Sequence, residues 1–223
     1  MTAKRRTLLI LILALTGCQG PHKAPPFAKS DYKLPYGKWK FAFFTPNALP
    51  AMVTRVGIVG TSGYLYQFYT LDSTQGNPYS VGTWSEKIRR SSIHFNQAKS
   101  PPQYMVFCWD SLIDKKVYET SMFFPESVWR KMIAPAWNKY RPEEPAWYDT
   151  MLFGLAPEGK VRVWLQNSGG GDNYPVPVIK LKTVSGDKLD LCRNVTKSDF
   201  SSGYDQDIKE FIKGKTYPYG SWS

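Results

Sequence analysis

Lys38-Trp39-Lys40-Phe41-Ala42-Phe43 is the stretch that decides the fold class. Trp39, Phe41 and Phe43 recur at every second residue and the two lysines take alternate positions, which is the period of a half-buried strand and not of a helix. Outward from it, residues 53–59 and 64–70 read as two further strands joined by Gly60-Thr61-Ser62-Gly63, a hairpin turn. Residues 104–109 and 117–123 form a second pair, and 151–155 with 160–166 a third around Ala156-Pro157-Glu158-Gly159. Residues 179–184 complete the set, with Lys180 and Lys182 pointing outward. Two short helices interrupt the pattern. Pro125 suits a first helical position, Val128, Trp129, Met132 and Ile133 then share a face, and Pro135 stops the run. Asp205 and Asp207 precede Ile208, Phe211 and Ile212, and Lys213-Gly214 closes that turn. The expected fold is mainly β, of the α+β kind: an antiparallel sheet or β-sandwich with two short peripheral helices.

The amino terminus reads as an address. Lys4, Arg5 and Arg6 precede an apolar run over 8–15, too short to cross a hydrocarbon core of about 30 Å as a helix, so residues 1–17 are expected to be an export signal. Leu15-Thr16-Gly17-Cys18 resembles a bacterial lipobox, which implies cleavage before Cys18 and acylation of its thiol and amino terminus. Each buried methylene contributes ~0.8 kcal/mol, so several acyl chains anchor firmly where one does not. Gln19 in place of Asp implies sorting to the outer membrane, with the domain facing the periplasm. Residues 18–33, the lipidated cysteine and a proline-bearing tether, then lead into a single β-rich domain over 34–223. At ~3 Å per residue the tether reaches up to about 45 Å. LPYGKW at 34–39 and YPYGSW at 217–222 share a turn chemistry, with Gly37 and Gly220 permitting positive φ.

Loss of residues 1–17 removes three cations and takes the formal charge from +11 to +8. That charge suits an anionic surface or an acidic partner. Lys38, Lys40, Lys87, Arg89, Arg90, Lys115, Lys116, Arg130, Lys131, Lys180 and Lys182 are dispersed among apolar residues, which reads as a solvated face. Nucleic acid is not an expected partner, since neither a recognition-helix pattern nor zinc-finger spacing occurs.

With Cys18 lipidated, Cys108 and Cys192 remain in a compartment that permits disulfides. A bridge between them closes a loop of about 85 residues, for which chain entropy allows ~4–5 kcal/mol. Two buried free thiols are the alternative. No metal or other cofactor is expected: His94 is the only histidine outside the tether, which carries His22, so a zinc set lacks ligands.

Signals for catalysis are weak, and the chain is expected not to be an enzyme. A hydrolytic triad would have to use His94, and no Gly-x-Ser-x-Gly elbow occurs. Asn167-Ser168-Gly169-Gly170-Gly171-Asp172 lacks the Lys-Ser/Thr of a phosphate loop and reads as a plain connection. Asp110 with Asp114, or Glu143 with Glu144, could pair as carboxylates only across a cleft of suitable width. The chain has 8 Trp, 14 Tyr and 12 Phe, many of which must build the core. Trp164 falls on the Lys160, Arg162 and Gln166 face of its strand, opposite Val161, Val163 and Leu165. Either a loop or helix covers it, or Trp164 and Arg162 form a binding surface of the kind that concentrates interface energy.

LPYGKWKFAFFTPNALPAMVTRVGIVGTSG (34–63), PPQYMVFCWDSLIDKKVYET (101–120), WYDTMLFGLAPEGKVRVWLQ (147–166), TVSGDKLDLC (183–192) and IKGKTYPYGSW (212–222) together look like the uncharacterised Gram-negative lipoproteins of domain-of-unknown-function family 2931. The resemblance spans nearly the whole mature domain and implies an envelope lipoprotein, with no catalytic residues to carry over. Small periplasmic lipoproteins of comparable layout act as immunity proteins against phospholipase effectors of type VI secretion, an analogy of architecture only. The expectation is a membrane-anchored binding module with a protein partner. An envelope-maintenance module that binds glycan or another envelope protein is the alternative, and a hydrolase resting on His94 is a third.

Overall fold

The computed structural model describes residues 32–69, 71–196 and 198–223. The expected export signal over 1–17, Cys18 and the expected tether up to residue 31 lie outside the described residues.

Along the chain run β1 (Trp39–Pro46), β2 (Ala51–Gly60), β3 (Leu65–Phe68), β4 (Gln75–Asn77), β5 (Gln97–Ala98), β6 (Pro102–Ser111) and β7 (Lys116–Phe123). Helix α1 (Glu126–Ile133) follows, then β8 (Thr150–Ala156), β9 (Lys160–Gln166), β10 (Tyr174–Pro175), β11 (Ile179–Ser185) and α2 (Gln206–Ile212). The fold is mostly β with two short helices. Strands β11-β7-β6-β2-β3 form a sheet that is antiparallel throughout. The other sheet, β10-β9-β8-β1-β4 with β5 also paired to β1, is mixed, because β1 runs parallel to both β8 and β4. Side-chain alternation carries no information about a partner's direction, and β1 meets β8 from far along the chain, so the wholly antiparallel expectation holds for one sheet only.

The two sheets face each other across an aromatic core. Trp39, Phe41 and Phe43 of β1 meet Val56 and Ile58 of β2, Met105 and Phe107 of β6, and Met151 and Phe153 of β8. The Phe43 ring lies 5.1 Å from Phe107 and 5.2 Å from Phe153. Each such side chain removed from water contributes roughly 1.5–3 kcal/mol. In β2 a bulge between Val53 and Arg55 shifts the period, so that Val53 and Val56 both reach this core although they stand three apart.

The half-buried reading of β1 needs correction. Lys40 is partly exposed, but the face it begins continues into Ala42 and Phe44, which are as buried as the aromatic face. A second apolar cluster covers this outer face of the mixed sheet: Trp84, Ile88 and Ile93 from a strap over 78–93, Ile208 of α2, and Trp222 pack on Ala42, Phe44, Leu152 and Trp164. Gly154 of β8 makes this possible, because a Cβ there would stand 2.7 Å from the Trp84 ring. Trp84 donates through Nε1 to the Trp222 carbonyl at 3.2 Å, and Ser221 N donates to the Gly82 carbonyl at 2.8 Å. The end of the chain and the strap therefore cover the sheet together.

Local signals fare well where partners are close in sequence. Gly60-Thr61-Ser62-Gly63 closes the β2–β3 hairpin, with Gly63 N on the Gly60 carbonyl at 2.9 Å. Helix α1 buries Val128 and Met132, with Pro125 just before its first turn and not within it. Gly37 uses that freedom, with φ +83, whereas Gly220 does not; a Cβ there would strike Gly82 O at 2.6 Å, so close packing requires the glycine. On β11 the alternation expected of Lys180 and Lys182 fails. A register shift between Ile179 and Lys182, with Lys180 at φ +52, leaves Ile179 and Leu181 exposed beside the lysines.

Cys108 and Cys192 are in disulfide geometry, with sulfurs 2.08 Å and Cα atoms 5.4 Å apart. The bridge ties the segment after β11 to the outer face of the antiparallel sheet. Glu119 reinforces it by accepting the backbone N–H groups of Asp190 and Cys192, each at 2.9 Å.

Candidate functional site

A cleft of about 630 Å³ opens on the outer face of the mixed sheet, within the ~300–1,000 Å³ usual for ligand sites. Its floor is apolar, formed by Phe44, Leu152 and Ile88. One wall is β4 and the residues after it, another is the strap at 86–90, and the loop at 170–173 and Lys139 close the remainder.

The walls are braced by side chains that bond to backbone. Gln166, at the end of β9, accepts Arg90 N at 2.7 Å and donates Nε2 to the Arg90 carbonyl at 3.0 Å. Asn173 Nδ2 donates to the carbonyls of Ile88 at 2.6 Å and Glu86 at 3.1 Å. The Arg89 guanidinium donates to the Asn167 carbonyl at 3.1 Å and to that of Gly171. Lys139 is positioned through its own N–H on the Gly169 carbonyl, 2.7 Å away. The rim carries aromatics: Tyr79 is 73% exposed, and the Tyr140 ring packs where a Gly170 Cβ would stand, at 2.6 Å.

Charge is unbalanced across this lining. Lys87, Arg89, Arg90 and Lys139 face Glu86 and Asp172. Glu86 is already engaged, accepting from Arg162 at 3.1 Å and from Trp164 Nε1 at 2.7 Å. Among the described residues the ion pairs are Arg130–Glu126, Arg141–Glu144 and Arg162–Glu86, and none involves a cleft cation. Arg90 Nε and Asn173 Oδ1 are buried and have no hydrogen-bond partner among the described residues. Groups of this kind recognise anions: a guanidinium presents a planar donor fork, and an ammonium a point charge.

The structure places the sequence-derived candidates as follows. Trp164 is fully buried, its ring 5.5 Å from Phe44 and 5.7 Å from Trp84, so it is covered by the strap and does not form an exposed binding face. The polar side of β9 gave the opposite impression because Glu86 supplies the indole with an acceptor inside the cluster. Arg162 stacks on that ring at 5.3 Å and stays partly exposed at the edge. His94 is exposed and does not line the cleft. Asp110 is buried and accepts the hydroxyls of Thr196 and Ser198. Asp114 accepts both the Tyr118 and Tyr217 phenols at 2.9 Å and Glu158 N at 2.9 Å, so this carboxylate staples three segments. Burial, then the charge of Asp114, pushes the Tyr118 phenol well above its ordinary range; Tyr217 is raised by burial and by its bond to Asp114. Glu144 is paired with Arg141 at 3.1 Å and Glu143 is exposed. Among the described residues, no group of three His, Cys, Asp or Glu side chains could hold a metal ion.

Of the bases that look dispersed along the chain, Lys87, Arg89 and Arg90 share this one cleft, and Lys139 and Asn173 join them without any sequence signal. The Asn167 to Asp172 connection is a wall of the cleft. Two of its N–H groups are used internally, Gly169 N on Asn167 Oδ1 at 2.7 Å and Gly170 N on the Asn167 carbonyl at 3.3 Å, and Ser168 N donates to the Trp147 carbonyl at 2.9 Å.

No curated protein and no solved structure matches the chain. The family model described as Protein of unknown function (DUF2931) matches residues 20–220, a span that takes in both sheets, the strap and the whole lining of the cleft, and the chain therefore belongs to the DUF2931 family.

Proposed function

We propose that this protein is a binding module of the bacterial envelope, held at the outer membrane by lipid on Cys18 with its folded part in the periplasm, and that it captures a protein. In its most specific form the proposal is an immunity protein that neutralises an incoming toxin, such as a type VI secretion phospholipase. The observation that supports this reading is the cleft itself: four cations without carboxylate partners, set on walls braced by Gln166, Asn173 and Arg89. Walls already held in place lose little freedom on binding, and that preorganisation favours affinity. Export explains the disulfide geometry, since such bridges persist in oxidising compartments.

The test is inhibition. The full chain in detergent micelles is titrated against a purified type VI secretion phospholipase, and lipid hydrolysis is followed. Stoichiometric inhibition with a 1:1 complex is expected; unchanged hydrolysis with no complex at micromolar concentrations would contradict the immunity reading.

Tyr79 and Tyr140 at the cleft rim favour a second reading, an envelope-maintenance module that stacks a glycan. Salt separates the two. Capture through unpaired cations weakens as ionic strength rises, whereas stacking on neutral sugars does not.

A further inference from the structure

We infer that the cleft is a receptor for an acidic peptide segment, in which the guanidinium of Arg90 receives an Asp or Glu side chain. This rests on the capture reading above and adds the chemistry of what is captured.

Three observations carry it. The first is Arg90. Its backbone is fixed on both sides by the Gln166 amide, its side chain lines the cleft, and its Nε is buried with no partner among the described residues. The fixed backbone holds the root of the side chain in place, and a carboxylate matches the fork geometry of guanidinium with two parallel bonds. Arg89, by contrast, spends its guanidinium on the carbonyls of Asn167 and Gly171, so it braces the wall while adding positive charge.

The second is the state of the backbone donors. Phosphate sites are usually built from free N–H groups at a loop or helix start. Here Gly169 N and Gly170 N are held by Asn167, and Tyr79 N is held by Asn77 Oδ1 at 2.9 Å. These N–H groups are therefore taken, and Arg90, Lys87 and Lys139 supply the positive charge for an anion.

The third is the size and surface of the cleft. Phe44, Leu152 and Ile88 line it but are themselves buried, so its open surface is set by exposed lining residues such as Lys87 and Lys139. The cleft volume suits a short segment and not a folded domain.

The experiment uses the full chain in detergent micelles and a capped, fluorescein-labelled hexapeptide of alternating leucine and glutamate, with the glutamine analogue and inorganic phosphate as comparisons. Anisotropy reads affinity, and carbodiimide coupling followed by mass spectrometry reads position. The glutamate peptide is expected to bind saturably, to couple to Lys87 or Lys139, and to weaken at least tenfold with Arg90→Gln. Arg90→Lys should recover little of the loss, and Arg55→Gln, on the other sheet, should change nothing. Equal binding of the glutamine peptide, or coupling spread over lysines outside the cleft, would overturn the proposal. Displacement of the peptide by millimolar phosphate would overturn the preference for carboxylate. Full capture of a protein toxin by the Arg90→Gln chain would refute this inference and leave the capture reading standing, whereas a wild-type chain that captures no toxin but binds the peptide would do the reverse.

Discussion

Trp164 and Glu86, 78 positions apart in the sequence, are joined by a hydrogen bond of 2.7 Å from the indole Nε1 to the carboxylate Oε2. The bond fastens the strap to β9 and fills the polar valence of a ring that is otherwise enclosed by Phe44 and Trp84. Trp164 is thus a closing element of the second apolar cluster, and the strap it holds is a wall of the cleft.

The first prediction follows from that enclosure. Trp164→Ala should cost about 3–5 kcal/mol in chemical denaturation, the range for removing a buried large aromatic, whereas Arg162→Ala should cost ~1 kcal/mol or less because its pair with Glu86 is exposed. Equal effects of the two substitutions would show that the ring is not buried as described.

The second concerns the Cys108–Cys192 bridge, which spans a sequence separation of 84. Reduction should lower stability by about 2–5 kcal/mol, and urea midpoints with and without reductant measure it. Both cysteines should resist alkylation until reductant is added; free thiols in quenched envelope material would count against the bridge.

Asp114 supplies the third. Tyr118 and Tyr217 are raised above the ordinary phenol value of 10.0, chiefly by burial and with Asp114 contributing. The unfolded chain gives up these protons first as pH climbs, so their contribution is complete below about pH 10 and is lost as pH rises above it. Melting temperature against pH should therefore fall more steeply above pH 10 in the wild type than in Tyr118→Phe. Parallel curves would show that Tyr118 titrates normally.

Anchoring is tested separately. Cys18→Ser should abolish labelling by a radioactive fatty acid and leave the export signal uncleaved by the lipoprotein peptidase. Equal label on both chains would end the lipid-anchor proposal.

How far the sequence could be read depends on the distance between partners. The β2–β3, β6–β7 and β8–β9 pairs, each closed by a short turn, and the anchors Val128 and Met132 of α1, follow from residues close together in the chain. The parallel pairing of Phe43 with Phe153 does not, because neither strand's alternation names its neighbour. The same reason hides the outer cluster: Lys40 announces a solvent face that Trp84, in a stretch with no strand or helix period, goes on to cover. The cleft is the extreme case. Lys87, Arg90, Lys139 and Asn173 meet only after the mixed sheet, the strap and the 167–173 loop are in place, so the bases look evenly scattered along the chain.

The most direct test of the central claim, that the basic cleft and not the Arg162 edge is the capture surface, is calorimetry of three full-length chains against a purified type VI secretion phospholipase. The account predicts that Lys87→Gln combined with Arg90→Gln weakens binding at least tenfold and flattens its dependence on salt, while Arg162→Ala binds as the wild type does. Unchanged affinity in the double variant, with loss in Arg162→Ala, would contradict it.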